Sequence, residues 1–231
     1  METLQEIRAV LARLPMDDRL AIGVWLEEYD SPGTRAYEVR EAGLAYAADT
    51  LFFSTLEEFL DFEEHTAIRH EWVDGTAFAM SAPSLAHQRI CLRLTTAFAS
   101  HLPRRGPCQV FSSGTKLSIQ KELSDLCYCP DLMVDCRRDA WDPRFVRKPK
   151  LVVEILSPST QLTDRREKLH SYREIDSIEE YVLVAQDEHK LTMHRRADAW
   201  RPQLYQGPAA VIEFRSIGLT LPLATIYEDI L

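Results

Sequence analysis

Two apolar runs in this chain each enclose a carboxylate, 23 positions apart. Asp131 stands in Cys129-Pro130-Asp131-Leu132-Met133-Val134, and Glu154 in Leu151-Val152-Val153-Glu154-Ile155-Leu156. Both runs read as strands. Side chains alternate along a strand, so Glu154 shares its face with Val152 and Leu156. A carboxylate so placed is costly unless its charge is compensated. If the two strands are neighbours, the acids converge on one divalent ion, Mg²⁺ or Mn²⁺. Such an ion is typically held by one or two carboxylates, with water and substrate phosphate completing its shell.

The rest of the chain supplies a frame for such a pair. With 231 residues, 45% of them hydrophobic, it has material for one substantial core and an appendage. No apolar run approaches the ~20 residues of a membrane-spanning helix. The start, Met1-Glu2-Thr3-Leu4-Gln5-Glu6, lacks the basic opening of a signal peptide. Five cysteines make an odd count without a paired framework, and the expected setting is a reducing cytoplasm. Cys127-x-Cys129 with Cys136 lacks the spacing of a structural zinc site.

The net charge of −9 is unevenly spread. Residues 1–65 carry 15 acidic and 5 basic side chains, whereas 137–150 carry six basic (Arg137, Arg138, Arg144, Arg147, Lys148, Lys150) against two acidic. The local field matters more to a polyanion than the total, so 137–150 reads either as a basic surface beside the two strands or as an ordinary solvated loop.

Periodicity predicts two short helices at 2–14 and 16–29, broken at Pro15, forming an acidic extension over 1–45 suited to self-association or to covering a partner surface rather than to DNA, with a homodimer as the expected state. The main domain, 46–231, opens with a capped helix after Ser54/Thr55, then a hairpin at 70–80 turning on Asp74-Gly75. A helix follows from Pro83-Ser84 to about His101, with Cys91, Leu94 and Phe98 on its buried face and His87 one turn earlier. Strands are expected at 107–112, 115–120, 129–135, 150–156, 181–185 and 189–195, with a charged helix over 164–175 and short strands near Leu204, Val211-Ile212 and 218–223. The pattern is a layered α/β or mixed α+β domain.

Four phrases resemble the Uma-type restriction-endonuclease group, also called domain of unknown function 820, within the PD-(D/E)XK nuclease superfamily. They are Leu56-Glu57-Glu58-Phe59-Leu60 with His70-Glu71-Trp72-Val73-Asp74-Gly75; Ala82-Pro83-Ser84 leading to His87; Val152-Val153-Glu154-Ile155-Leu156-Ser157-Pro158-Ser159-Thr160; and Lys168 and Tyr172 followed by Ile178-Glu179-Glu180-Tyr181-Val182-Leu183-Val184. The resemblance spans roughly 52–227. It implies a restriction-endonuclease-like mixed central sheet flanked by helices. It also implies a site in which Asp131 and Glu154 bind the metal and Glu71, His87 and Lys168 assist. The superfamily motif places a lysine two positions after the second acid, where this chain has Leu156. Lys168 or Lys116 is expected to supply that cation. Asp164, four residues before Lys168, offers the simpler reading of a helical ion pair.

The expected activity is metal-dependent hydrolysis of nucleic-acid phosphodiester bonds, with DNA as the leading substrate. The alternative, motivated by Leu156, is a nucleic-acid-binding or regulatory module without turnover.

Overall fold

The computed structural model describes residues 51–231 except 105, 113, 121–124, 138–141 and 158–159. The helical pair expected over 2–29, and with it the extension assigned to self-association, lies outside the described residues. In chain order the elements are β1 (Leu51–Phe52), α1 (Leu56–Glu63), β2 (His70–Val73), β3 (Thr76–Ala79), α2 (Leu85–His101), β4 (Gln109–Ser112), β5 (Lys116–Gln120), β6 (Asp125–Tyr128), β7 (Leu132–Asp135), β8 (Phe145–Val146) and β9 (Leu151–Ile155). After α3 (Gln161–Thr163) comes a π-helical turn, Asp164–Lys168, and then α4 (Leu169–Arg173). The chain ends with β10 (Glu180–Val184), β11 (Lys190–Arg195), β12 (Pro202–Gln206), β13 (Val211–Phe214), β14 (Leu219–Pro222) and α5 (Leu223–Ile226).

The mixed α+β expectation holds, with the strands divided over two six-stranded sheets and a small two-stranded one. The first large sheet runs β1-β3-β2-β6-β5-β8 and the second β12-β11-β10-β9-β7-β4. Helix α1 starts where the capping residues place it: Thr55 Oγ1 accepts from Glu58 N–H (3.2 Å), and Glu58 Oε2 accepts from Ser54 N–H (2.9 Å). Its Phe59 and Leu60 pack on the first sheet among Trp72, Ala77, Cys127 and Phe145.

The β2–β3 hairpin turns through Asp74 (φ 48°) and Gly75 (φ 89°). Two positive φ angles in succession give the turn whose twist matches the flanking strands. A β-carbon on Gly75 would also lie 2.6 Å from the Phe52 ring. Gly75→Ala is expected to cost about 1–3 kcal/mol, read as a lowered midpoint in chemical denaturation.

Helix α2 is capped by Ser84, whose Oγ accepts from His87 N–H (3.1 Å). It buries Ile90, Leu94 and Phe98 against Leu132, Val134, Leu151 and Val153 of the second sheet. Ile90 therefore takes the core place expected for Cys91, which is half-buried. In that sheet β9 lies between antiparallel β7 and parallel β10. A parallel pair needs a crossover, and α3, the π turn and α4 provide it. The opposite end of β10 is pinned by Glu180, which accepts from Arg195 Nε (2.8 Å), Ser216 Oγ (2.6 Å), Ser216 N–H (3.1 Å) and Arg215 N–H (3.0 Å).

Two local expectations change. The strand expected over 129–135 starts at Leu132, because Pro130 ends one strand and lets the chain leave the first sheet for the second; β6, before it, had no counterpart in the expected strands. The cysteines do pair in part: Cys108 and Cys136 form a disulfide, while Cys91, Cys127 and Cys129 are free. The β4–β7 register, Gln109 opposite Asp135, sets the two flanking cysteines face to face across 28 residues of sequence.

Candidate active site

Cys129-Pro130-Asp131 joins β6 of one sheet to β7 of the other, and the expected site residues gather around this crossing. The β7–β9 register pairs Leu132 with Val153, so Asp131 falls opposite Glu154 on the same face. Asp131 Oδ2 accepts from Ile155 N–H (2.8 Å) and lies 3.1 Å from His87 Nε2. Its own N–H donates to Glu154 Oε2 over a long 3.4 Å. Helix α2 thus delivers His87 from its first turn, while its Ile90-Leu94-Phe98 stripe anchors it in the core.

Glu154 is buried, and its Oε1 accepts from Lys168 Nζ (3.2 Å) and from Tyr172 OH (3.0 Å). The same ammonium lies 2.9 Å from Glu71 Oε1 and 3.1 Å from Asp164 Oδ1. Glu71, from β2 of the first sheet, also accepts from Cys129 N–H at the crossing (3.0 Å). Lys168 is 4% exposed, so these three ion pairs are not a solvated helical contact. The ordinary ion pair expected of Asp164 and Lys168 is formed, but inside the protein.

The crossover explains how Lys168 arrives. Residues 164–168 are wound as a π turn, which inserts a residue into the helical phase. Tyr181 OH donates to Asp164 O (2.9 Å), satisfying a carbonyl at this turn from the neighbouring strand. Tyr172, Tyr128 and Tyr181 wall the site, with Tyr172 edge-on to both of the others.

Charge is unbalanced here. Glu71, Asp131, Glu154 and Asp164 meet one ammonium, Lys168, and one imidazole, His87. Burial pushes the Glu154 carboxyl well above its usual range; Lys168 opposes this, and Asp164, Asp131 and Glu71 add to it. Burial likewise raises Asp164, against Lys168 and Thr160. For Lys168 burial works against the charge, yet Glu154, Glu71 and Asp164 outweigh it and raise the pKa well above the ordinary lysine value.

All five expected residues, Glu71, His87, Asp131, Glu154 and Lys168, line one cleft of about 670 Å³. Asp164, Ser84, Thr160 and Gln186 line it too. Asp164 and Tyr172 follow from the i, i+4 stripe through Lys168; Gln186 carried no signal in the sequence. Lys116 is engaged elsewhere, 2.7 Å from Glu63 Oε2, and Glu63 Oε1 lies 2.7 Å from His70 Nδ1. In the described part of the basic segment three side chains are engaged within the protein. Arg144 binds Glu57 (2.8 Å) and Asp61 (3.4 Å), Arg147 lies over the Phe145 ring, and Lys150 meets Glu179 (3.4 Å). Among the described residues no group of three or more His, Cys, Asp and Glu is gathered as a ready metal cage. No helix among them is long and apolar enough to cross a membrane.

Comparison with known proteins gives the chain its relatives. Two uncharacterized proteins of Synechocystis sp., slr1290 and sll1609, are 34% and 27% identical over 177 and 169 residues; the matches cover 75% and 69% of this chain and 91% and 92% of theirs. The crystal structure of a putative nuclease belonging to DUF820 from Anabaena variabilis is similar with a TM-score of 0.63 at 20% identity, over 77% of this chain and 99% of that one, and shows the restriction-endonuclease-like fold. The Uma2 family model, described as putative restriction endonuclease, matches residues 56–224, and the chain belongs to that family.

Proposed function

We propose that the cleft hydrolyses phosphodiester bonds in nucleic acid, DNA foremost, with a divalent cation, Mg²⁺ or Mn²⁺, held by Asp131 and Glu154. The observation that carries this reading is the excess of carboxylate over cationic charge around Glu154, inside the protein. Such an excess favours cation uptake, and the two facing carboxylates, Asp131 just before β7 and Glu154 in β9, are a donor set that suits a hard ion also bound by water and phosphate. Once bound, the ion lowers the pKa of a water and offsets charge on a phosphoryl oxygen.

The chain's own groups have separable tasks. His87 and Ile155 N–H hold one Asp131 oxygen and leave Oδ1 without a hydrogen bond among the described residues. Lys168 and Tyr172 fix Glu154 through Oε1. Glu71 and Asp164 steady the ammonium, which serves in place of the lysine that Leu156 displaces. From there Lys168 orients the attacking water or stabilises charge on the phosphorane.

The test is cleavage of supercoiled and linear DNA, and of RNA, by the purified chain in EDTA, Mg²⁺ or Mn²⁺. Strand scission confined to the divalent-ion samples is expected. A second reading, binding without turnover, is favoured by the lack of a preformed three-residue metal cage among the described residues. Metal-independent DNA affinity with no scission under any ion would establish it over the first.

A further inference from the structure

Arg69 stands at the mouth of the cleft, next to His70 and two positions before Glu71. Its carbonyl accepts from Met80 N–H (2.7 Å), which carries the β2–β3 ladder one step past His70. The strand alternation therefore extends to it, and Arg69 projects on the Glu71 side, about 7 Å further along. Its side chain is seated on Gly114. A β-carbon built there would lie 2.2 Å from Nη1, 2.6 Å from Cζ and 2.8 Å from Nη2, so the whole guanidinium rests on the glycine. Gly114 also has φ 104°, a conformation that side chains rarely adopt.

Among the described residues Arg69 has no carboxylate within ion-pair distance and no side-chain hydrogen bond. The other cleft cation, Lys168, is shared by three acids, and Arg144 and Lys150 are paired elsewhere. A planar guanidinium, always charged and offering five N–H donors, suits a phosphate.

We infer that Arg69, seated on Gly114, is a phosphate-binding subsite that takes a backbone phosphodiester beside the one at Asp131 and Glu154. This rests on the nucleic-acid reading of the cleft. It gives the site a substrate-anchoring cation that the acidic floor cannot supply, and it assigns Gly114 the task of leaving room for that cation. Arg69 is a positioning residue, removed from the reacting atoms.

The test uses the full chain with a fluorescent DNA duplex, measuring equilibrium binding over a salt series and steady-state cleavage. Arg69→Gln is expected to flatten the slope of log affinity against log salt by about 1, the signature of one lost phosphate contact. KM should rise about tenfold or more while kcat changes little, with Arg69→Lys intermediate. Gly114→Ala should reproduce the Arg69→Gln defect, and the double variant should be no worse than either alone. Arg69 is exposed, so its variants should keep the thermal midpoint of the parent even if Gly114→Ala does not fold. A parent that binds and cleaves DNA, with Arg69→Gln matching its salt slope and KM, would overturn this subsite and leave the nuclease reading intact. A parent that binds no nucleic acid would overturn both.

Discussion

Asp131→Ala and Glu154→Ala should each reduce divalent-dependent cleavage by at least about 10³-fold, the scale set by loss of charge stabilisation at a phosphoryl centre. The two should differ in stability. Asp131 holds Ile155 N–H and His87, so its loss leaves a backbone donor without its partner at the crossing. Glu154→Gln keeps the shape of its side chain and removes charge from an overcharged pocket. Because burial holds the Glu154 pKa well above 4.5, the folded parent binds a proton that the unfolded chain releases. Its contribution to stability is therefore complete below about pH 4.5 and is lost as pH rises through the folded pKa. Melting curves should show the parent falling over that interval, Glu154→Gln falling less, and Mg²⁺ restoring the parent most at the alkaline end. An equal melting-point gain from Mg²⁺ in parent and Glu154→Gln would remove Glu154 from the metal site.

Lys168→Met is the second large effect. It leaves Glu71, Glu154 and Asp164 without their shared ammonium, and breaking a buried ion pair costs about 3–5 kcal/mol. Cleavage should fall about 10²–10³-fold as a charge-stabilising donor is lost. The sharper readout is the coupling to metal. With the internal cation gone, added Mg²⁺ should raise the melting temperature of Lys168→Met by more than that of the parent. A smaller gain would mean that the acids around Lys168 do not attract the ion. Lys116→Met supplies the contrast, since it disturbs Glu63 and not the cleft, and should leave kcat near the parent value.

How the site could be read from the sequence follows from the cost of charge in a strand. Asp131 and Glu154 stood out because apolar neighbours made them improbable, and the β7–β9 register does set them opposite one another. That criterion alone is incomplete. Glu180 also sits in an apolar strand, yet it is matched by Arg195 and three further donors and so serves the fold. The excess of acids, not their burial, separates the two, and such a balance becomes visible only when distant segments meet. The π turn had no sequence signal because its residues are ordinary helix formers; only its consequence, Lys168 aimed at Glu154, could be read, through the family phrase. Arg69 and Gly114 lay hidden for a similar reason. Each looks like a surface or turn residue until the two are stacked.

The passage from β6 to β7 through Pro130 ties the site's assembly to the meeting of the two sheets. Glu71 comes from one sheet, Glu154 from the other, Lys168 from the π turn of the β9–β10 crossover, and Asp131 from the three-residue crossing between the sheets. Neither sheet on its own contains the ion-paired cluster. Under the proposed reading, competence for cleavage is thus a readout of long-range assembly, because the acids and their shared ammonium meet only once strands of both sheets are in place.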